Sequence, residues 1–100
     1  MIYCSDKQRQ IIQNILHTWI ADRRVVVFGS RVRGNPKPFS DLDLAIDGSQ
    51  PLSLLLFGQL RDAFSESHLP FRVDLVDMAT VSEEFRRVIQ EECEVIQESQ

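Results

Sequence analysis

Three carboxylates stand where a strand pattern would ordinarily exclude them. Asp is a poor strand former, yet Asp41 and Asp43 open the run Asp-Leu-Asp-Leu-Ala-Ile-Asp that ends at Asp47, and Asp74 interrupts the run from Phe71 to Asp77. Residues two apart on a strand project to one face, and a neighbouring strand would bring Asp74 to that face as well. Three such charges would repel one another by roughly 4 kcal/mol for each pair about 4 Å apart at an effective dielectric near 20, and a divalent cation would offset that. One or two protein carboxylates, completed by phosphate and water, describe a magnesium site on a nucleotide, with manganese an acceptable substitute. The bland alternative is a set of exposed Asp residues at strand ends, solvated or paired with an arginine such as Arg72.

A second element bears on that choice. The β-branched run Val25-Val-Val-Phe28 leads straight into Gly29-Ser30 and the short polar segment Arg31-Val-Arg-Gly34. A strand that turns sharply into a helix start exposes backbone N–H groups, which with the Ser30 hydroxyl would cradle a phosphate, while Gly29 permits close approach. Arg31 or Arg33 would add positive charge. Gly-Ser alone is an ordinary turn dipeptide. The informative feature is the combination: a phosphate cradle, ten intervening residues, and a pair of carboxylates on the next strand.

The remaining segments read as the scaffold that positions these groups. Ser5-Asp-Lys-Gln8 has the form of a capping box, and Ile11, Ile12, Ile15, Leu16, Trp19 and Ile20 follow at helical spacing, giving a first helix from about Asp6 to Ala21 with Trp19 as a core anchor. Val25 to Phe28 reads as a central strand buried on both faces. Pro36 and Pro38 make 35–39 a loop. Leu42, Leu44 and Ile46 take one side of the second strand. Leu52, Leu55, Leu56, Leu60, Ala63 and Phe64 mark a helix from about Pro51 to Ser67, with Pro51 in its first turn. In the third strand Val73 and Leu75 alternate with Arg72, Asp74 and Val76. Thr80-Val-Ser-Glu83 opens a further helix, and Cys93 to Ile96 either extends it or adds an edge strand. The second and third strands, joined through a helix, should be parallel.

Composition sets the bounds. One hundred residues make a single domain, 1–100, and 43% apolar with 26% charged residues is an average globular balance. A net charge of −4 argues against direct nucleic-acid binding. No apolar run approaches the length needed to cross a bilayer and no signal peptide is evident, so the expectation is a cytoplasmic protein without membrane contact. Cys4 and Cys93 are then expected as free thiols, with a disulfide the alternative. His17 and His68 stand alone, Lys37 is an exposed lysine by default, and Arg86-Arg87 beside Glu83-Glu84 reads as a solvated helix face.

Gly29-Ser30, ten residues and Asp41-Leu-Asp43 together resemble the signature of the polymerase-β-like nucleotidyltransferase superfamily. Gly29-Ser-Arg-Val-Arg-Gly34 with Ser40-Asp-Leu-Asp-Leu44 is similar to its minimal nucleotidyltransferase branch, and Val73-Asp-Leu-Val-Asp77 resembles the strand bearing that family's third carboxylate. The chain departs from the pattern near its end, where the family commonly has a glycine before a last strand and this sequence reads Glu92-Cys-Glu-Val-Ile96.

The resemblance implies an α/β fold, a three- to four-stranded mixed sheet packed with about four helices. It implies Asp41 and Asp43 as ligands of two Mg2+ ions, Asp74 as a further ligand that also activates the attacking hydroxyl, and Gly29, Ser30 and Arg33 as the holders of the ATP phosphates. The reaction would be in-line attack on the α-phosphorus of ATP, with pyrophosphate released. Family members of this size resemble the antitoxin half of a two-gene module whose partner is a HEPN toxin, silenced when AMP is added to one of its tyrosines, so a hetero-oligomer is implied. The alternative is a non-catalytic nucleotide-binding module that neutralises its partner by stoichiometric binding. Transfer to a small molecule is a weaker reading, because no substrate-binding domain is present.

Overall fold

The structure, a computed structural model, describes residues 1–34 and 36–100; of the expected loop 35–39, Asn35 lies outside the described residues. The first helix, α1 (Asp6–Ile20), starts as its sequence dictates. The Ser5 hydroxyl accepts from the Gln8 N–H at 3.0 Å and the Gln8 side chain accepts from the Ser5 N–H at 2.9 Å, a closed capping box. Its buried stripe is Ile12, Leu16 and Ile20, at intervals of four. Trp19 falls beside that stripe and is exposed, which corrects its reading as a core anchor.

The chain continues through β1 (Val25–Phe28), the one-turn helix α2 (Ser30–Arg33), β2 (Leu42–Ile46), α3 (Leu54–Ser65), β3 (Val73–Asp77), α4 (Glu83–Glu91) and β4 (Cys93–Gln97). Helix α3 begins three residues later than its apolar pattern suggests. The Asp77 carboxylate accepts from the Leu52 N–H at 2.8 Å and holds that residue outside the helix, so Ser53 becomes the cap and Pro51 precedes it. Likewise Ser82, not Thr80, caps α4, its hydroxyl accepting from the Phe85 N–H. Arg86 does not lie on a solvated face: its guanidinium donates to the Met78 carbonyl at 2.6 Å.

The sheet order is β3-β2-β1-β4, with β1 antiparallel to both of its neighbours and β2 parallel to β3. The last segment is therefore a strand, and β1 is central because β4 covers its second edge. No glycine is needed before β4, because Glu92 takes an extended backbone (φ −144°, ψ 93°) that any residue adopts.

Alternation divides the sheet into two unlike faces. Val25, Val27, Leu42, Leu44 and Ile46 point to one side and are sealed by Ile12, Leu16, Leu60 and Phe64 of α1 and α3. On the other side Val26, Ala45, Met78 and Ile89 form a smaller cluster joined by Phe28, Val76 and Val95. That second face is only partly covered, and the acidic residues use the uncovered part.

Candidate active site

The site begins at the end of β1. Gly29 has φ 79° and ψ −153°, a region essentially reserved for glycine, and it turns the strand into α2 within one residue. The register explains why the turn must be tight. Phe28 pairs with Asp43 across β1 and β2, so the Asp43 carboxylate lies directly beside Gly29. A Cβ on Gly29 would lie 3.2 Å from the Asp43 Cγ and in outright collision with Oδ2. The phosphate-type turn and the acidic strand are thus in van der Waals contact across a gap that only hydrogen fits.

The two arginines of α2 separate because positions two apart on a helix diverge by about 200°. Arg31 turns inward and is 4% exposed. Its guanidinium donates to the carbonyls of Tyr3 (2.9 Å), Pro38 (3.0 Å) and Ser40 (2.9 and 3.1 Å) and stacks over the Phe71 ring at 4.0 Å. Burial pulls its pKa below the ordinary guanidinium value, and the ring of carbonyls holds the cation in place. Arg31 is therefore a strap that ties the N-terminus and the proline loop to α2, with four of its five N–H donors already engaged. Sequence reasoning missed this role. Arg33 points outward, exposed, with Nε 3.4 Å from Glu92 Oε1, and its charge reaches Asp43.

Asp41 precedes β2, and Asp43 sits between Leu42 and Leu44 on the face opposite the main core. Asp74 pairs with Asp43 in the parallel register, which puts both side chains on one face. All three acidic residues expected from the sequence are brought together there, with Gly29 and Ser30 at the adjoining strand end. Asp41 and Asp74 keep 40% and 45% of their side-chain surface in solvent, open to an incoming group. Burial pushes the Asp43 carboxyl above the usual carboxylate range, and the charges of Asp74 and Asp41 push the same way against the pull of Arg33 and Arg72.

Arg72, the alternative partner the sequence suggested, is also at this site. Its Nη2 donates to Asp41 Oδ2 at 2.9 Å and its Nε lies 3.6 Å from Asp74 Oδ1. Pairing and clustering are thus properties of the same site. Among the described residues, no three His, Cys, Asp or Glu side chains close into a ready metal cage. Magnesium on a nucleotide does not require one, because it keeps phosphate and water ligands beside one or two carboxylates. The donor set consists of carboxylate oxygens alone, mutually repelling and bridged by a cation, and so fits a hard divalent ion.

Asp77, by contrast, belongs to the scaffold: its carboxylate accepts from the Leu52 and Ala79 N–H groups. His17, His68 and Lys37 are exposed, and both cysteines are free. No helix among the described residues is long and apolar enough to cross a membrane.

Residues 10–100 match the family model for polymerase beta nucleotidyltransferases. The chain belongs to the polymerase beta nucleotidyltransferase family. It is 51% identical over 90 residues to a probable protein adenylyltransferase, MntA, of Haemophilus influenzae, an alignment covering 90% of this chain and 79% of that protein. Among solved structures, a toxin-antitoxin crystal structure with AMP-PNP superposes with a TM-score of 0.76 at 24% identity, over 92% of this chain and 74% of that one. A complex of tri-AMPylated Shewanella oneidensis HEPN toxin with an MNT antitoxin gives 0.69 at 21% identity, over 93% of this chain and 71% of that one. At these identities the structures establish the fold, a nucleotidyltransferase α/β core with a mixed four-stranded sheet and four helices. The expected architecture is therefore found.

Proposed function

We propose that this chain is a magnesium-dependent protein adenylyltransferase that moves AMP from ATP to a tyrosine hydroxyl of a cognate HEPN toxin and so acts as its antitoxin. The observation that carries the reading is the contact between the Gly29 turn and Asp43, with Asp74 in register beside it. That contact supports a reading in which the turn binds phosphate while the acidic pair serves the same nucleotide. The 51% identity to a probable protein adenylyltransferase supports the choice of a protein acceptor, and the fold shared with AMP-PNP-bound and AMPylated toxin-antitoxin complexes supports the choice of partner.

In this reading the N–H groups of the turn and the Ser30 hydroxyl bind the β- and γ-phosphates, with Arg33 adding positive charge at the rim. Asp41 and Asp43 would hold the divalent ions, with Asp74 completing the second position. Held by these carboxylates, Mg2+ would supply neutralisation of the phosphates, a lowered pKa for the acceptor hydroxyl and stabilisation of charge on the leaving oxygen. Asp74, half exposed on edge strand β3, orients the tyrosine hydroxyl and takes its proton. The tyrosine oxygen bonds to the α-phosphorus as the bond from that phosphorus to the bridging oxygen breaks, and pyrophosphate carries away the electron pair. The uncovered half of the sheet admits the acceptor from the partner.

The test is to incubate the protein with Mg2+, ATP and the product of its neighbouring gene, expected to be a HEPN protein, then weigh the partner intact. A gain of one or more units of about 329 Da is expected, lost in Asp41→Asn/Asp43→Asn. If the double variant neutralises the partner as well as wild type and neither protein transfers label from α-labelled ATP, the enzymatic reading fails and stoichiometric binding replaces it.

A further inference from the structure

Arg72 touches the acidic cluster without belonging to it, and the proposed function gives it no task. Its guanidinium reaches Asp41 and Asp74 at once, at 2.9 and 3.6 Å, and these are two of the three side chains that would hold the divalent ions. The side chain is 74% exposed, and among the described residues the two carboxylates are its only polar partners. Lone pairs committed to a guanidinium are not free for a metal. Two like charges on adjoining strands would repel one another, and this cation lies between them.

Resting on the functional reading above, we propose that Arg72 is a resident counter-cation: it neutralises the acidic cluster while no divalent ion is bound and competes with an incoming ion for the oxygens of Asp41 and Asp74 that it holds. The bridge keeps the carboxylates gathered in the metal-free protein and makes ion binding an exchange of one cation for another. It thereby weakens the affinity for the free ion and favours arrival of the ion together with a polyanionic nucleotide, whose charge offsets the freed arginine.

The experiment is a calorimetric titration of the full-length chain with Mn2+ alone, at about 0.15 M salt so that charges farther than about 8 Å are screened. Arg72→Gln should bind Mn2+ about threefold to fivefold more tightly than wild type, the range set by releasing an exposed ion pair. Arg72→Lys, which keeps the charge but loses the planar fork, should fall between them. Arg24→Gln changes net charge identically and breaks exposed ion pairs with Asp47 and Glu98 at the opposite end of the sheet, so its affinity should stay at the wild-type value. A second readout is thermal: without metal, Arg72→Gln should melt below wild type, and its rise on adding Mn2+ should be larger. Equal or weaker binding by Arg72→Gln, or an equal gain in Arg24→Gln, overturns the role of Arg72 and leaves the functional reading standing. Wild type and variant both failing to bind Mn2+, even with a non-hydrolysable ATP analogue present, overturns the functional reading and this inference with it.

Discussion

Replacing Gly29 with alanine tests the contact on which the site is built. Two costs arise in the structure. The backbone at φ 79°, ψ −153° lies where side chains are scarcely tolerated, at roughly 1–3 kcal/mol. The added methyl also collides with the Asp43 carboxylate and must push it out of the cluster. Together about 2–3 kcal/mol of stability should be lost, which for a domain of this size lowers the melting temperature by roughly 10–20 °C. Gly58 supplies the matched control. It lies inside α3, where nothing stands within 4 Å of an added Cβ, so Gly58→Ala should gain about 0.5–1 kcal/mol from helix propensity. The two terms at Gly29 separate in a double-mutant cycle: Asp43→Ala removes the obstacle but leaves the backbone strain, so Gly29→Ala should cost less in that background. Thermal melts give the energies. Transfer activity of Gly29→Ala, measured well below its melting point, should fall about a hundredfold, as expected when a reacting group is misplaced by about 1 Å. Wild-type melting and activity in Gly29→Ala, or equal costs with and without the Asp43 side chain, would refute the reasoning.

Arg31→Met should lower stability by about 2–3 kcal/mol, because the carbonyls of Tyr3, Pro38 and Ser40 lose their donor, and limited proteolysis should then cut the loop near Pro38 faster; unchanged melting and cleavage would show that the strap is dispensable. Asp43 carries a pH signature. Its folded-state pKa is raised, first by burial and then by Asp74 and Asp41, so its ionised form destabilises the metal-free fold, and that cost disappears as pH falls through the raised value toward the ordinary range. Metal-free Asp43→Asn should therefore melt above wild type near neutral pH, with the gap closing on acidification; a gap independent of pH would contradict this cause.

Much of this was legible because the local signals agreed with the global fold. The Ser5 capping box, the Val25–Phe28 run and the alternation of Leu42, Leu44 and Ile46 each have one structural solution, and that solution presents Asp41 and Asp43 on the opposite face. The parallel pairing that brings in Asp74 followed from the helix between the strands. Illegible features depended on partners distant in sequence. Nothing in Ser-Arg-Val-Arg says which arginine turns inward, because that depends on carbonyls from Tyr3, Pro38 and Ser40. The delayed start of α3 depends on a carboxylate 25 residues away, at Asp77. Trp19 fitted the apolar pattern of α1, and only packing excluded it. The final strand was undecided because its apolar residues are few and its partner, β1, lies far upstream.

The central claim is spatial: the turn at Gly29-Ser30 and the carboxylates of Asp41, Asp43 and Asp74 gather at one end of the sheet, where the divalent ions and the nucleotide would bind together. Its most direct test is the amide NMR spectrum of the full-length chain with a non-hydrolysable ATP analogue and trace paramagnetic Mn2+. The signals of Phe28 to Ser30, Asp41 to Asp43 and Asp74 should broaden away first, while those at the opposite end of the sheet, around Arg24, Asp47 and Gly48, persist. Broadening centred on that opposite end, or none at all, would contradict the account.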